Sequence, residues 1–365
     1  MSAGPRVAVV HDYFTQDGGA ERVALRIARM FPGARLYASV ADAAALPDDE
    51  EVTVTTTPLQ RLRSAGLPLG ALAPLLPGAF ARLDLDGADV VISSSAAFAH
   101  HVRPSAAAVH ISYCHTPPRF LWQPDEYFRD RPIARWLVAP ALGPLRRRDV
   151  AAAGRVDVYV ANSAYTAGRI RATYGRTARV VHPPIDTAAF RPSAARSGRF
   201  LVVARLRRHK RLELAIGAAK RFGLALDVIG IGSDERRLRR LAGSTVSFLG
   251  RRTDTEVAAA MATCAGLVVP GVEDFGMTMA EIQAAGRPPV AFGVGGATDI
   301  VRDGETGFLF GEQTVEAVGG AMLRALHEPL DPDALVRSAR RFDAAAFDAA
   351  IRGLVDEART LEHAA

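Results

Sequence analysis

Short unbroken apolar runs alternate along this chain with stretches in which apolar residues recur at helical spacing. Most of the runs are closed by turns rich in glycine, proline, serine or histidine. Residues 6–11 read as a buried strand, and residues 20–30 follow as a helix with Val23, Ile27 and Met30 on one face. Further strands are expected at 34–40, 89–95, 109–114, 156–161 and 179–182, with a helix over 162–174. The pattern restarts at 200–204, then 224–230, 246–250, 265–269 and 289–292, with a short strand inside 304–310. Helices are expected from Leu212, over 278–285 (stopped by Gly286 and Pro288-Pro289) and through most of 314–362. Strands alternating with helices in this way predict an α/β protein with parallel sheets.

At 365 residues the chain suits two domains rather than one core. The prolines of Pro183-Pro184 and Pro192, with the stretch 193–198, mark the boundary. Domains are therefore expected at 1–185 and 186–345, with 346–365 a terminal helix packing back toward the N-terminal domain. Apolar residues make up 49% and charged residues 23%, as in a soluble globular protein. No run approaches the ~20 apolar residues of a spanning helix. Met1 to Arg6 leads straight into a strand, so no signal peptide is expected. Two cysteines, Cys114 and Cys264, cannot form a disulfide framework or a metal cluster. A cytoplasmic, metal-free protein is the expectation. The net charge of +6 comes almost wholly from arginine, because Lys210 and Lys220 are the only lysines. That charge suits phosphates or anionic lipid, whereas the 7% aromatic content and the absence of a zinc-finger pattern argue against nucleic acid.

The candidate chemistry gathers at strand ends. After the strand at 265–269 comes Gly271-Val272-Glu273-Asp274-Phe275-Gly276-Met277, running into a helix that carries Glu281. Two carboxylates around a helix N-terminus suit a phosphorylated, hydroxyl-rich ligand; the plainer reading is a solvated loop and a surface helix. Gly18-Gly19 after the first strand offers backbone N–H groups to phosphate, or is an ordinary tight turn. Arg205 and Lys210 flank the loop after residue 204, where phosphates bind in such folds, although Arg207, Arg208 and Arg211 also fit a solvated basic loop. His115 ends a strand at the sheet's carboxyl edge, where ligands bind; a structural histidine is the alternative, and His100, His101 and His110 lie nearby. Asp84-Leu85-Asp86 reads as turn chemistry rather than a metal motif, and Gly230-Ile231-Gly232 alone is weak evidence for a dinucleotide site. Over 119–149, rings such as Phe120, Trp122, Tyr127 and Trp136 alternate with Arg119, Arg129, Arg131, Arg135 and Arg146-Arg147-Arg148. This suits peripheral contact with an anionic membrane or a lipid-phosphate acceptor, or equally an amphipathic helix packed on its own domain.

Taken together, the Gly18-Gly19 loop, Arg205 with Lys210, Glu273 with Glu281, and the glycines after 286 resemble glycosyltransferase family 4. Tyr113-Cys114-His115-Thr116-Pro117 is similar to a subgroup of bacterial mannosyltransferases that build O-antigen and other surface polysaccharides. The resemblance implies the GT-B fold, two Rossmann-like domains facing across a cleft. It also implies a retaining transfer from a nucleotide sugar, with GDP-mannose the expected donor and a lipid-linked or related surface glycan the acceptor. Arg205 and Lys210 would neutralise the diphosphate and so replace a metal cofactor. Glu281 would hold the ribose, and Glu273 the transferred sugar, beside the N–H groups of Phe275, Gly276 and Met277. His115 would sit by the reacting bond and Gly18-Gly19 over the diphosphate. Asp299 and His182-Pro183-Pro184 depart from the family's commoner glutamate and Pro-Asn-Gly. With no convincing nucleophile present, front-face displacement is expected rather than a double displacement. The alternatives are a UDP-hexose donor, a sugar-nucleotide epimerase on the same fold, and a non-catalytic binding protein. The inner face of the plasma membrane is the location that the 119–149 surface would favour.

Overall fold

Thirteen strands form among residues 4–46, 53–128 and 132–362, which the computed structural model describes. The chain divides into two compact units, residues 1–182 with 348–365, and residues 183–347.

The first unit holds β1 (Val7–His11), β2 (Arg35–Ala38), β3 (Val54–Thr56), β4 (Val90–Ser95), β5 (Val109–Cys114), β6 (Val158–Ala161) and β7 (Arg179–Val180). They form one parallel sheet in the order β3-β2-β1-β4-β5-β6-β7. The second unit holds β8 (Phe200–Val203), β9 (Leu226–Ile229), β10 (Val246–Gly250), β11 (Gly266–Val269), β12 (Pro289–Phe292) and β13 (Phe308–Phe310). Its order, β10-β9-β8-β11-β12-β13, repeats the same winding. In each sheet the order reverses beside the first strand, between β1 and β4 and between β8 and β11. Loops leaving the carboxyl ends of those strands diverge and open a crevice there, which is where such sheets bind ligands.

Most strands lie where the apolar pattern predicts them. The edge strand β3 was not expected: it is three half-exposed residues long, too short to show a pattern. β4 is buried along its whole length, although half of it is Ser93-Ser94-Ser95. Each hydroxyl meets a histidine: Ser93 with His110 Nε2 at 2.9 Å, Ser94 with His115 Nε2 at 2.8 Å, and Ser95 with His100 Nδ1 at 3.1 Å. Buried polar groups persist because they are paired.

Helices are closed by local chemistry. Ser163 caps Ala164–Tyr174 by accepting from the Thr166 N–H, and Gly175 ends it in the left-handed region. Thr253 and Glu256 form a reciprocal capping box on Asp254–Thr263. Arg26 pairs with Asp348 at 2.7 Å and Arg179 with Glu357 at 2.5 Å, so the first unit includes the end of the helix Ala344–Glu362. In the second unit Arg287 is buried, and among the described residues it meets no carboxylate. Its guanidinium donates instead to the carbonyls of Ala262, Ser193 and Ala195 at 2.7–2.9 Å, tying the stretch after Pro192 to the sheet. No described helix is long and apolar enough to cross a membrane.

Candidate functional site

In the second unit three loops meet at the β8/β11 switch point. The loop after β8 carries Arg205, then a short 3-10 turn, Arg208–Lys210, and Arg211 at φ 54°. Arg211 is the one non-glycine residue at positive φ among those described, so this loop holds backbone strain. The loop after β11 carries Glu273. Lys210 Nζ donates to both Glu273 oxygens at 2.6 Å, and the two side chains are 19% and 18% exposed. The expected phosphate cation and the expected sugar carboxylate therefore hold each other.

The third loop follows β12. Glu273 bridges Gly295, and the Gly296 N–H donates to the Glu273 carbonyl at 2.8 Å. A Cβ on Gly296 would stand 2.3 Å from the Phe275 Cα, and one on Gly295 2.4 Å from the Glu273 oxygen. These glycines let one backbone lie directly against another. Gly276, at φ 94°, turns the chain into the helix Met277–Ala284, whose first turn contains no acidic side chain. Glu281 lies within that helix, and Phe275 is buried. Lys210, Glu273, Phe275, Gly276 and Met277 thus share one region, and Arg205 begins the same loop as Lys210.

In the first unit the loop after β1 is organised by Asp12, a residue the sequence reading passed over. Its buried carboxylate accepts four backbone N–H groups, from Ala96, Ala97, Phe98 and Ala99, at 2.5–2.8 Å. The nest of amides at the end of β4 is thereby filled by the protein itself. Gly18 is extended rather than left-handed and caps the helix Gly19–Met30. The buried Glu21 carboxylate in the first turn would lie 2.5 Å from a Cβ at Gly18 and accepts from Gln16 at 3.0 Å.

His115 lies one residue beyond β5 and is buried. Its N–H donates to the Ser95 carbonyl at 2.8 Å, and its carbonyl accepts from Asn162 Nδ2 at 3.0 Å. Its ring meets Ser94, which also contacts His11. The signal that could have found this group was three serines inside a fully buried strand. Burial, eased by the nearby Asp12 charge, takes His11 down to about 4.

The nearby alternatives are structural. Burial lowers His110 to about 3, beside Ser93. His101 Nε2 lies 3.1 Å from Asp149 Oδ1, and burial lowers this histidine to about 4. Trp122 and Tyr174 donate to Asp149 Oδ2 at 2.7 and 2.8 Å. Burial alone would raise Asp149, but these donors and His100 hold it well below the usual carboxylate range. Asp84 accepts from the Asp86 N–H at 3.0 Å, as turn chemistry requires.

The stretch 119–149 divides. Phe120 stacks edge-on against Phe98, Leu121 is buried, and Arg146 lies 5.6 Å over the Trp122 ring and donates to the Leu121 carbonyl. Farther on, Ile133, Trp136 and Leu137 are 75%, 75% and 65% exposed. Arg129 and Arg131 lie outside the described residues.

Models of two protein families match the sequence: Glycosyltransferase Family 4 over residues 17–189 and Glycosyl transferases group 1 over residues 188–342. A glycogen synthase of Pseudomonas syringae pv. syringae (strain B728a) is 35% identical over 158 residues, 41% of this chain and 33% of that protein. A D-inositol 3-phosphate glycosyltransferase of Acidothermus cellulolyticus is 33% identical over 192 residues, 44% of this chain and 43% of that one. The matched stretches therefore span a third to under a half of these relatives. Among solved structures, Anabaena HepE in complex with UDP superposes with a TM-score of 0.70 at 18% identity, over 96% of this chain and 100% of the other. Sucrose-phosphate synthase from Thermosynechococcus elongatus gives 0.75 at 18% identity, over 99% and 100%. Two Rossmann-like units and their shared strand order agree with these matches: residues 17–189 form a Glycosyltransferase Family 4 domain and residues 188–342 a Glycosyl transferases group 1 domain, together on the GT-B fold.

Proposed function

We propose that this chain is a retaining, metal-independent hexosyltransferase that takes a sugar from a nucleoside diphosphate and passes it to a glycan hydroxyl. The observation that carries the reading is the Lys210–Glu273 pair at the β8/β11 switch point, with a cation and a hydroxyl-binding carboxylate in contact. Lys210 and Arg205 are assigned to the diphosphate, whose charge grows as the bond to the anomeric carbon breaks. Glu273 then turns from Lys210 to hydroxyls of the sugar, and Glu281 accepts from the ribose. The N–H groups of Phe275, Gly276 and Met277, and those of Gly18 and Gly19, are assigned to the phosphates, and His115 to the sugar at the reacting bond. The acceptor oxygen attacks from the face the phosphate leaves, and the leaving phosphate oxygen takes the acceptor's proton. No cofactor is assigned.

For the donor, the likeness of 113–117 to mannosyltransferases favours GDP-mannose. A UDP-hexose is the second reading, supported by UDP and UDP-glucose in solved relatives of the same fold. For the acceptor, a lipid-linked glycan is supported by Ile133, Trp136 and Leu137, which suit a surface dipping into anionic lipid. Calorimetry with GDP and UDP, without added metal, should show one of them binding at about micromolar strength. A donor screen read by product mass then names the sugar. Binding of neither nucleotide, or turnover only with added metal, would overturn the reading.

A further inference from the structure

We propose that Ser94 and His11 form a relay behind His115 that places the imidazole proton on Nδ1, so that His115 acts as a hydrogen-bond donor and not as a base. The inference deepens the role given to His115 above and rests on that reading.

Strand register brings the three residues together. His11 faces Ser94 across β1 and β4, and Ser94 faces Tyr113 across β4 and β5. His115 is two residues past Tyr113 and therefore on the same face. All three members are buried. The ring of His115 is wedged edge-on against Tyr113, centroids 5.1 Å apart, and lies 6.4 Å from His11 at 89°.

The protons follow from which atoms can donate. His11 Nδ1 lies 3.0 Å from the Ser94 carbonyl oxygen, which can only accept, so Nδ1 must carry a hydrogen. The same nitrogen is 3.1 Å from Ser94 Oγ, which therefore cannot donate back to it. Among the described residues the side-chain hydrogen bonds of Ser94 Oγ run only to His11 and His115. Its hydrogen must go to His115 Nε2, 2.8 Å away. Nε2 is then the acceptor, and the neutral ring's own proton lies on Nδ1. The opposite tautomer would aim two N–H groups at one hydroxyl and leave a buried O–H without an acceptor, a costly arrangement. Burial keeps His11 uncharged over the neutral range, so the order does not scramble there.

A donor at Nδ1 can hold a sugar oxygen or the departing phosphate oxygen. It cannot take the acceptor's proton, which fits transfer of that proton to the leaving phosphate. The bonding pair of the anomeric C–O bond leaves with the phosphate oxygen, and a lone pair of the acceptor oxygen forms the new bond.

The test uses the full chain labelled with 15N. Long-range proton–nitrogen spectra distinguish a protonated ring nitrogen from a bare one, and His115→Asn identifies the signals. Wild type should show His115 protonated at Nδ1 and bare at Nε2. Ser94→Ala should shift the ring toward the other tautomer and lower kcat about tenfold, the size of one hydrogen bond, with KM for the donor changed less than about twofold. His11→Phe should act likewise, whereas His11→Asn, which keeps an N–H at the same distance along the side chain, should stay within about threefold of wild type. Circular dichroism confirms folding; if His11→Phe does not fold, Ser94→Ala and His11→Asn decide. A wild-type proton on Nε2, or an unchanged ring in Ser94→Ala, overturns the relay. The spectra need no substrate. Inactivity with every nucleotide sugar would thus overturn the transferase reading while the tautomer stands or falls on its own signals.

Discussion

Lys210 and Glu273 are the residues on which the donor reading turns, because each is the other's partner before any ligand arrives. Lys210→Ala removes the cation we assign to the diphosphate and leaves a half-buried carboxylate uncompensated. We expect it to lower kcat by about a hundredfold or more, while exposed Lys220→Ala stays near wild type. Steady-state kinetics on both variants check this, and equal losses would remove the special role of Lys210. Glu273→Gln should separate binding from turnover. With the negative charge gone from beside Lys210, the nucleoside diphosphate should bind at least as tightly by calorimetry, while kcat falls because the sugar loses its acceptor.

Between loops, spacing matters more than charge. The loop after β12 presses on the loop after β11 with no room for a side chain. Gly296→Ala should push Phe275 and Glu273 out of place, cost about 1–3 kcal/mol of stability and abolish most donor binding. A melting curve paired with nucleotide titration would show both effects; a variant that binds normally would mean the loops are not held by this contact. The helix Pro132–Ala153 carries the other element-scale prediction. Wild type should float with anionic vesicles, and Trp136→Ser together with Ile133→Ser should not. Failure of wild type to float would leave this face without a lipid role.

Across the whole molecule, acid should act first on the unit that holds the buried histidines. His11, His101 and His110 are lowered to about 4, 4 and 3, in each case chiefly by burial. A histidine depressed on folding contributes stability above its unfolded value of about 6.5, and loses it as pH falls toward the folded value. Each pH unit in the window from about 6.5 to 4 should therefore cost up to about 1.4 kcal/mol per histidine. Both tryptophans, Trp122 and Trp136, lie in this unit, so tryptophan fluorescence in denaturant titrations reports it selectively. A midpoint that does not move between pH 7 and pH 5 would contradict the assignment.

The sequence by itself determined the alternation of strands and helices, both parallel sheets, and the strand ends where Gly18, His115, Arg205, Lys210 and Glu273 stand. Those features are local: apolar periodicity and turn residues are written in consecutive positions. Only the tertiary structure decided which groups meet. Residues 63 positions apart, Lys210 and Glu273, become an ion pair because β8 and β11 are neighbours, and His11 reaches Ser94, 83 residues on, because β1 lies beside β4. The same packing sorted the histidines. His100, His101 and His110 were turned into structural hydrogen bonds, and His115 was left at the end of its strand on Ser94. The aromatic stretch was likewise divided, with Trp122 drawn inward by Asp149 and Trp136 left outside. Pairing across a sheet depends on strand order and register, which no run of neighbouring residues encodes.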